Sequence, residues 1–105
     1  MALPLAPAAY SDCYDHFDRA QQSERGIRIF VDSYAKAFHL RARMNQARCI
    51  ERREASRIYP RADPKFGKSE NDCFKLTLVE SAEADGTWWI YIQRWDALEV
   101  EIEEL

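Results

Sequence analysis

The chain has 105 residues, of which 47% are hydrophobic and 31% charged, with three glycines and a net charge of −3. This length and composition are typical of one folded domain and exclude a wholly disordered chain. No apolar run reaches the roughly 18 residues that a membrane helix needs, so we expect no membrane partner. The three cysteines are odd in number and widely spaced, which favours a reduced, cytoplasmic setting.

The first ten residues contain two prolines and no basic region, which is unlike a signal peptide. We therefore predict a flexible arm over residues 1–10 and a single domain over residues 11–105. Ser11 followed by Asp12 is typical of a helix start, because both residue types favour the first turn. Apolar residues then recur at helical spacing, which predicts a short helix over about residues 12–22.

Two interpretations compete for the next apolar stretch, residues 27–31. Ile27, Ile29 and Val31 alternate as in a strand, whereas a set at spacing i, i+3, i+4, i+7 fits a helix. The helical set covers more residues, so we favour a helix that begins near residue 24 and continues to Pro60. Its members are Ile27, Phe30, Val31, Tyr34 and Phe38.

The apolar stripe of this long helix changes direction near residues 38–42. Either the helix breaks or bends there, or its two halves pack against different surfaces. The early apolar face continues as a polar, mostly basic one, formed by Arg41, Asn45, Arg48 and Arg52.

Beyond the helix, residues 59–69 have the prolines, glycine and scattered charge of a loop. From residue 73 the apolar period becomes two, Asp85-Gly86 is typical of a hairpin turn, and residues 87–95 form the next strand. Residues 98–103 alternate strictly and predict a third strand, with a helical tail as the alternative. The fold class is therefore α+β, with N-terminal helices packed on one face of a C-terminal antiparallel sheet of three, or four, strands.

The strand at 87–95 is apolar or aromatic on both faces. One row holds Trp88, Ile90 and Ile92, and the other holds Thr87, Trp89, Tyr91, Gln93 and Trp95. The helices can cover only one row, and the register decides which. We expect the other row to be covered either by the N-terminal arm and the loop at Phe66 or by another molecule, since large exposed apolar patches are uncommon.

Charge is segregated along the chain. Residues 41–68 carry nine basic and three acidic side chains, whereas residues 69–105 carry two basic and ten acidic ones. The basic block suits phosphate contacts, but charge runs usually have a structural role, so we favour pairing with the acidic strands of its own chain or a solvated helix face. The negative net charge counts against a dedicated nucleic-acid binder. The candidate residues for nucleic acid or an acidic partner are Arg41, Arg48, Arg52, Arg53 and Arg57.

Glu99, Glu101 and Glu103 would project from one face of the last predicted strand. A row of carboxylates at that spacing can resemble a phosphate backbone or complement a basic groove. The alternative is that these charges protect an edge strand from aggregation.

Catalytic signatures are absent from the sequence, including phosphate loops, nucleophile elbows and metal motifs. Cys13 and His16 form a C-x-x-H spacing with no second pair of ligands nearby, and two histidines are few for acid–base chemistry. We therefore expect no enzyme activity, no cofactor and no metal site.

The surplus aromatic row and the segregated charge together favour a small protein-binding module. The most concrete hypothesis is a phage- or plasmid-type inhibitor of a host nucleic-acid-targeting defence complex, of the anti-CRISPR or anti-restriction class. Alternatives are a nucleic-acid-binding domain that uses the Arg-rich helix 41–57 and a homodimeric structural protein. The predicted partner-binding residues are Trp89, Tyr91, Trp95, Glu99, Glu101 and Glu103.

Overall fold

A computed structural model describes residues 9–83 and 85–95 of the chain. Its elements in chain order are helix α1 (Ser11–Gln21), strand β1 (Ile27–Val31), helix α2 (Tyr34–Ile58), a short 3₁₀ helix (Glu70–Cys73), and strands β2 (Phe74–Glu80) and β3 (Trp88–Arg94). The three strands form one antiparallel sheet in the order β1–β3–β2, with both helices on the same face. The predicted α+β class is therefore confirmed.

The helix expected over residues 27–31 is wrong, because this stretch is the edge strand β1. All five of its residues pair with β3, and these long-range hydrogen bonds override the local helical spacing. Gly26 enters the strand at φ 85°, a left-handed conformation that breaks any helix begun upstream. The next helix begins only at Tyr34, where the Ser33 hydroxyl accepts a hydrogen bond of 3.2 Å from the Lys36 N–H.

Helix α2 runs unbroken for 25 residues, so the change of apolar direction near residues 38–42 marks no break. The expected first face is wrong, since Phe38 is 51% exposed and Tyr34 is similarly open. The face that packs on the sheet instead carries small residues and one methionine at its most buried positions, which let the helix backbone approach closely. Its fully buried members are Ala37, Met44 and Ala47.

The core lies between the helices and the inner face of the sheet. Ile90 and Ile92 of β3 point into it, and Phe74 of β2 stacks on Phe17 of α1 at 6.1 Å between ring centroids. The register therefore places the row of Trp88, Ile90 and Ile92 toward the helices. Leu76 and Leu78 follow Phe74 on the same face, as the alternation of β2 predicts.

Two predictions fall on parts of the chain outside the described residues. The strand expected at 98–103 lies there, and so do residues 1–8 of the expected arm. The third strand of the observed sheet is β1, which pairs with β3.

Candidate interaction surfaces

The outer face of the sheet, which we call the open face, carries an aromatic cluster, and neither described helix packs on it. Register sets Phe30 of β1, Trp89 of β3 and Val79 of β2 side by side across the three strands. Phe30 is 50% exposed and meets Trp89 edge-on, with ring centroids 5.1 Å apart. This geometry is favourable for aromatic pairs, and it leaves a continuous apolar strip in contact with solvent.

Arg28 holds a fixed position on the open face. Its guanidinium carbon lies 3.9 Å from the centroid of the Trp89 ring, and its Nη1 donates a hydrogen bond of 3.3 Å to the Tyr91 hydroxyl. The cation–π contact and the hydrogen bond together restrict the rotamers of Arg28 before any partner binds.

A second surface is a groove of about 470 Å³ between α2 and the outer edge of β2, which we call the basic groove. Sequence reasoning placed four of its polar residues on one helix face, and the structure brings them together. β2, the 3₁₀ helix and the end of β3 supply the rest. The lining residues that carry charge, an amide or an indole are Arg41, Asn45, Arg48, Arg52, Asp72, Lys75 and Trp95.

Arg48 forms the floor of the basic groove and is only 9% exposed. Its Nη1 donates to the carbonyl oxygens of Asn71 at 3.1 Å and Phe74 at 2.7 Å, and its Nη2 donates to Asn45 Oδ1. Its Nε has no hydrogen-bond partner among the described residues. Burial lowers the pKa of this guanidinium, and the nearby Arg52 adds to the effect. Arg48 thus clamps α2 to the start of β2 with a buried positive charge whose bonded partners are neutral.

Arg52 is largely neutralised by its own chain. Its Nη2 and Nε donate to Asp72 Oδ1 at 2.6 and 2.8 Å. Burial opposes ionisation of Asp72, but the hydrogen bonds from Arg52 and from the Ser69 N–H outweigh it and lower the pKa of that carboxyl. The same carboxylate closes a capping box on the 3₁₀ helix, so this pair is also structural.

The remaining basic residues of α2 divide between pairing and exposure. Arg43 forms a two-pronged ion pair with Asp12 of α1, and Arg57 pairs with Glu54 one turn away. Arg53 is exposed and lies outside the groove lining, whereas Arg41 lines the groove with its guanidinium carbon 5.6 Å from the Phe38 ring centroid. Charge compensation within the chain therefore accounts for part of the basic block and leaves Arg41 with no ion pair among the described residues.

The outer edge of β2 supplies backbone groups to the basic groove. In an antiparallel ladder, alternate residues direct both their N–H and C=O toward the partner strand. The Ser81 N–H bonds the Thr87 carbonyl, so the opposite set, which includes Leu76, points away from β3. The bond from Arg48 to the Phe74 carbonyl fits this alternation. Leu76 therefore presents its N–H and C=O within the groove lining, at an edge that no strand of the described residues pairs with and that we call the open edge.

The Cys13–His16 pair has the properties of packed side chains. Cys13 is fully buried, and burial raises the pKa of its thiol to about 11, so the thiol stays protonated. Burial also lowers the pKa of His16. Within residues 9–83 and 85–95, no three His, Cys, Asp or Glu side chains are grouped so that they could hold a metal ion.

The structure distributes the predicted partner-binding residues over different places. Trp89 and Tyr91 lie on the open face, whereas Trp95 follows the end of β3 and lines the basic groove. Glu99, Glu101 and Glu103 lie outside the described residues. Sequence reasoning missed Phe30 and Arg28 as site residues. The strand interpretation of residues 27–31 would have placed them on one strand face, but only the pairing with β3 sets them beside Trp89 and Tyr91.

Lys75 was also missed as a groove residue, although it alternates with the inward side chains of β2. Its ammonium lies 5.3 Å from the ring centroid of Trp95, which is 50% exposed. The pair places a cation and an open aromatic surface together at the mouth of the basic groove.

Comparison of the chain with models of known protein families, with curated proteins and with solved structures gives no match. Among the helices that the structure describes, none is long and apolar enough to cross a membrane. The geometry of the two surfaces is therefore the basis for a function.

Proposed function

We propose that this protein is a non-enzymatic protein-binding module that contacts its partner through the open face of the sheet. The observation that carries the proposal is the half-exposed Phe30, packed edge-on against Trp89 on the side that neither helix covers. Isolated exposed apolar residues are ordinary, but a strip that crosses three strands is typical of an interaction site.

The composition of the open face supports this proposal. Trp, Tyr and Arg dominate the energetics of protein interfaces, and here Arg28 contacts both Trp89 and Tyr91. Because Arg28 is already held by the ring and the hydroxyl, binding would order few additional rotamers. The favoured partner surface is apolar with a carboxylate opposite Arg28, since that charge would otherwise lose water without compensation. The more specific role of a defence-complex inhibitor stays a prediction.

The test replaces the aromatic pair with residues that suit a strand. The double variant Phe30→Thr/Trp89→Thr removes the apolar strip while keeping β propensity. The matched control is Phe38→Gln, which removes an aromatic ring of equal exposure from α2. Partners captured from a native host lysate are identified by mass spectrometry, and the purified partner is then titrated against each variant by calorimetry.

We expect the double variant to lose the partner while Phe38→Gln binds it as the unaltered protein does. Equal affinity of the partner for the double variant and the control contradicts the proposal. Light scattering on the purified protein measures its molar mass and so distinguishes a homodimer from a monomer. A dimer that the double variant converts to a monomer would mean that a second copy covers the open face.

A further inference from the structure

We propose that the basic groove is a second, independent binding site for a nucleotide, either free or within a single strand. In this site Arg41 and Lys75 contact the phosphate, and the indole of Trp95 stacks on the base. The open-face residues that carry the proposed function do not line this groove, so the proposed function of the open face and the binding site in the groove can fail separately.

The charge of the groove favours an anion. Four cationic side chains line it against a single carboxylate, and that carboxylate is already bonded to Arg52. Arg41 and Lys75 form no ion pair with a described residue. Beneath them the buried Arg48 has only neutral hydrogen-bond partners, so its charge adds to the positive potential of the groove.

Polar donors are fixed in the same place. Asn45 accepts a bond from Arg48 through its Oδ1, which turns the two N–H groups of its amide away from that guanidinium. The N–H of Leu76 lies at the open edge of β2, as the alternation of the ladder requires. Such groups bind phosphate oxygens or the polar edge of a base.

The aromatic component distinguishes a nucleotide from a simple anion. Trp95 is half exposed at the groove mouth and has the ammonium of Lys75 5.3 Å from its ring centroid. An open aromatic ring beside a cation is the pairing by which single strands are bound, since the base stacks while the phosphate is neutralised. The groove volume of about 470 Å³ falls within the roughly 300–1,000 Å³ typical of ligand sites.

The experiment measures fluorescence anisotropy of a labelled single-stranded oligothymidylate with the full chain at low and moderate salt. The groove variant is Arg41→Gln/Lys75→Gln. Its matched control, Arg53→Gln/Lys68→Gln, removes the same charge from exposed residues outside the groove lining. A third variant, Trp95→Ala, removes the stacking surface. Thymidine monophosphate and inorganic phosphate serve as competitors.

We expect the groove variant to bind weakly and to lower the slope of log affinity against log salt by about 1.4, because two phosphate contacts are lost. Trp95→Ala should weaken binding about tenfold. The control and the Phe30→Thr/Trp89→Thr variant should bind as the unaltered protein does. Competition by the monophosphate indicates a free nucleotide as the ligand, whereas its failure to compete indicates a single strand; both outcomes support the site.

Three results would overturn the proposal. The first is absence of binding at low salt, and the second is equal weakening of the groove variant and its control. The third is competition by inorganic phosphate as strong as that by the nucleotide, with Trp95→Ala unaffected. Thermal unfolding checks that each variant is folded, and the single change of the exposed Lys75 to Gln replaces the double variant if that one unfolds.

Discussion

Replacing Arg48 by Met should destabilise the protein because the clamp between α2 and β2 is lost. The methionine keeps the apolar stem but leaves the carbonyls of Asn71 and Phe74 without their donor. Hydrogen bonds from a charged group contribute about 1.5–3 kcal/mol each, so two contribute about 3–6 kcal/mol. Removing a buried cation that has no carboxylate partner offsets part of this loss. We therefore expect the free energy of unfolding to fall by about 2–4 kcal/mol, a large share of the roughly 5–15 kcal/mol of a typical domain.

Urea denaturation followed by tryptophan fluorescence measures this effect. With a slope of about 2 kcal/mol per molar urea, the midpoint should fall by about 1–2 M. Arg41→Met is the matched control, since Arg41 lies on the same helix face without a buried bond, and it should change stability by less than about 0.5 kcal/mol. The urea midpoint of Arg48→Lys should lie between those of the two variants, because lysine keeps the charge but lacks the planar guanidinium with its several N–H donors. Equal midpoints for Arg48→Met and Arg41→Met would refute the clamp.

Two further predictions concern the backbone and acid stability. Gly26→Ala should cost more than about 3 kcal/mol of unfolding free energy, because its Cβ would lie 2.1 Å from the Ile92 carbonyl oxygen. Gly86→Ala meets nothing within 4 Å and should cost only the roughly 1–2 kcal/mol of its left-handed φ. Equal losses for the two variants in urea melts would contradict this steric explanation. Arg43 lowers the pKa of Asp12 from 3.8 to about 2, so the stabilisation by that carboxylate is complete above 3.8 and disappears as the pH falls toward 2. Asp12→Asn should therefore cost about 0.2–1 kcal/mol of unfolding free energy near neutral pH, since the pair is partly exposed. The difference in melting temperature between this variant and the unaltered protein should shrink as the pH falls from 3.8 toward 2. A difference that stays constant over that range would show that the ion pair is not its source.

The strand at residues 27–31 shows why local pattern alone was insufficient. Its spacing satisfied a helix and a strand together, and the helical set was longer. The deciding interaction is pairing with β3, some sixty residues later, which no window of the sequence includes. Phe30 consequently lies on the open face of the sheet and not on the expected helix face.

The candidate sites were predictable to different extents. The polar face of α2 followed from helical periodicity, and its four residues do line one groove. Their chemical roles could not be predicted from the sequence, because these roles depend on how deeply each side chain is buried and what it contacts. Arg48 is enclosed beneath β2 and Arg52 is bonded to Asp72, whereas Arg41 stays available at the groove wall. Identical side chains thus serve different purposes according to what packs against them.

The sequence by itself determined the α+β class, the hairpin at Asp85-Gly86 and the two alternating rows of β3, since these depend on local period and turn chemistry. Only the tertiary structure decided which row is buried. A one-residue change of register exchanges the two faces of a strand, and packing against Phe17 and Met44 fixes Ile90 and Ile92 inward. That choice leaves Trp89 and Tyr91 on the open face, because both helices of the described residues pack on the opposite side.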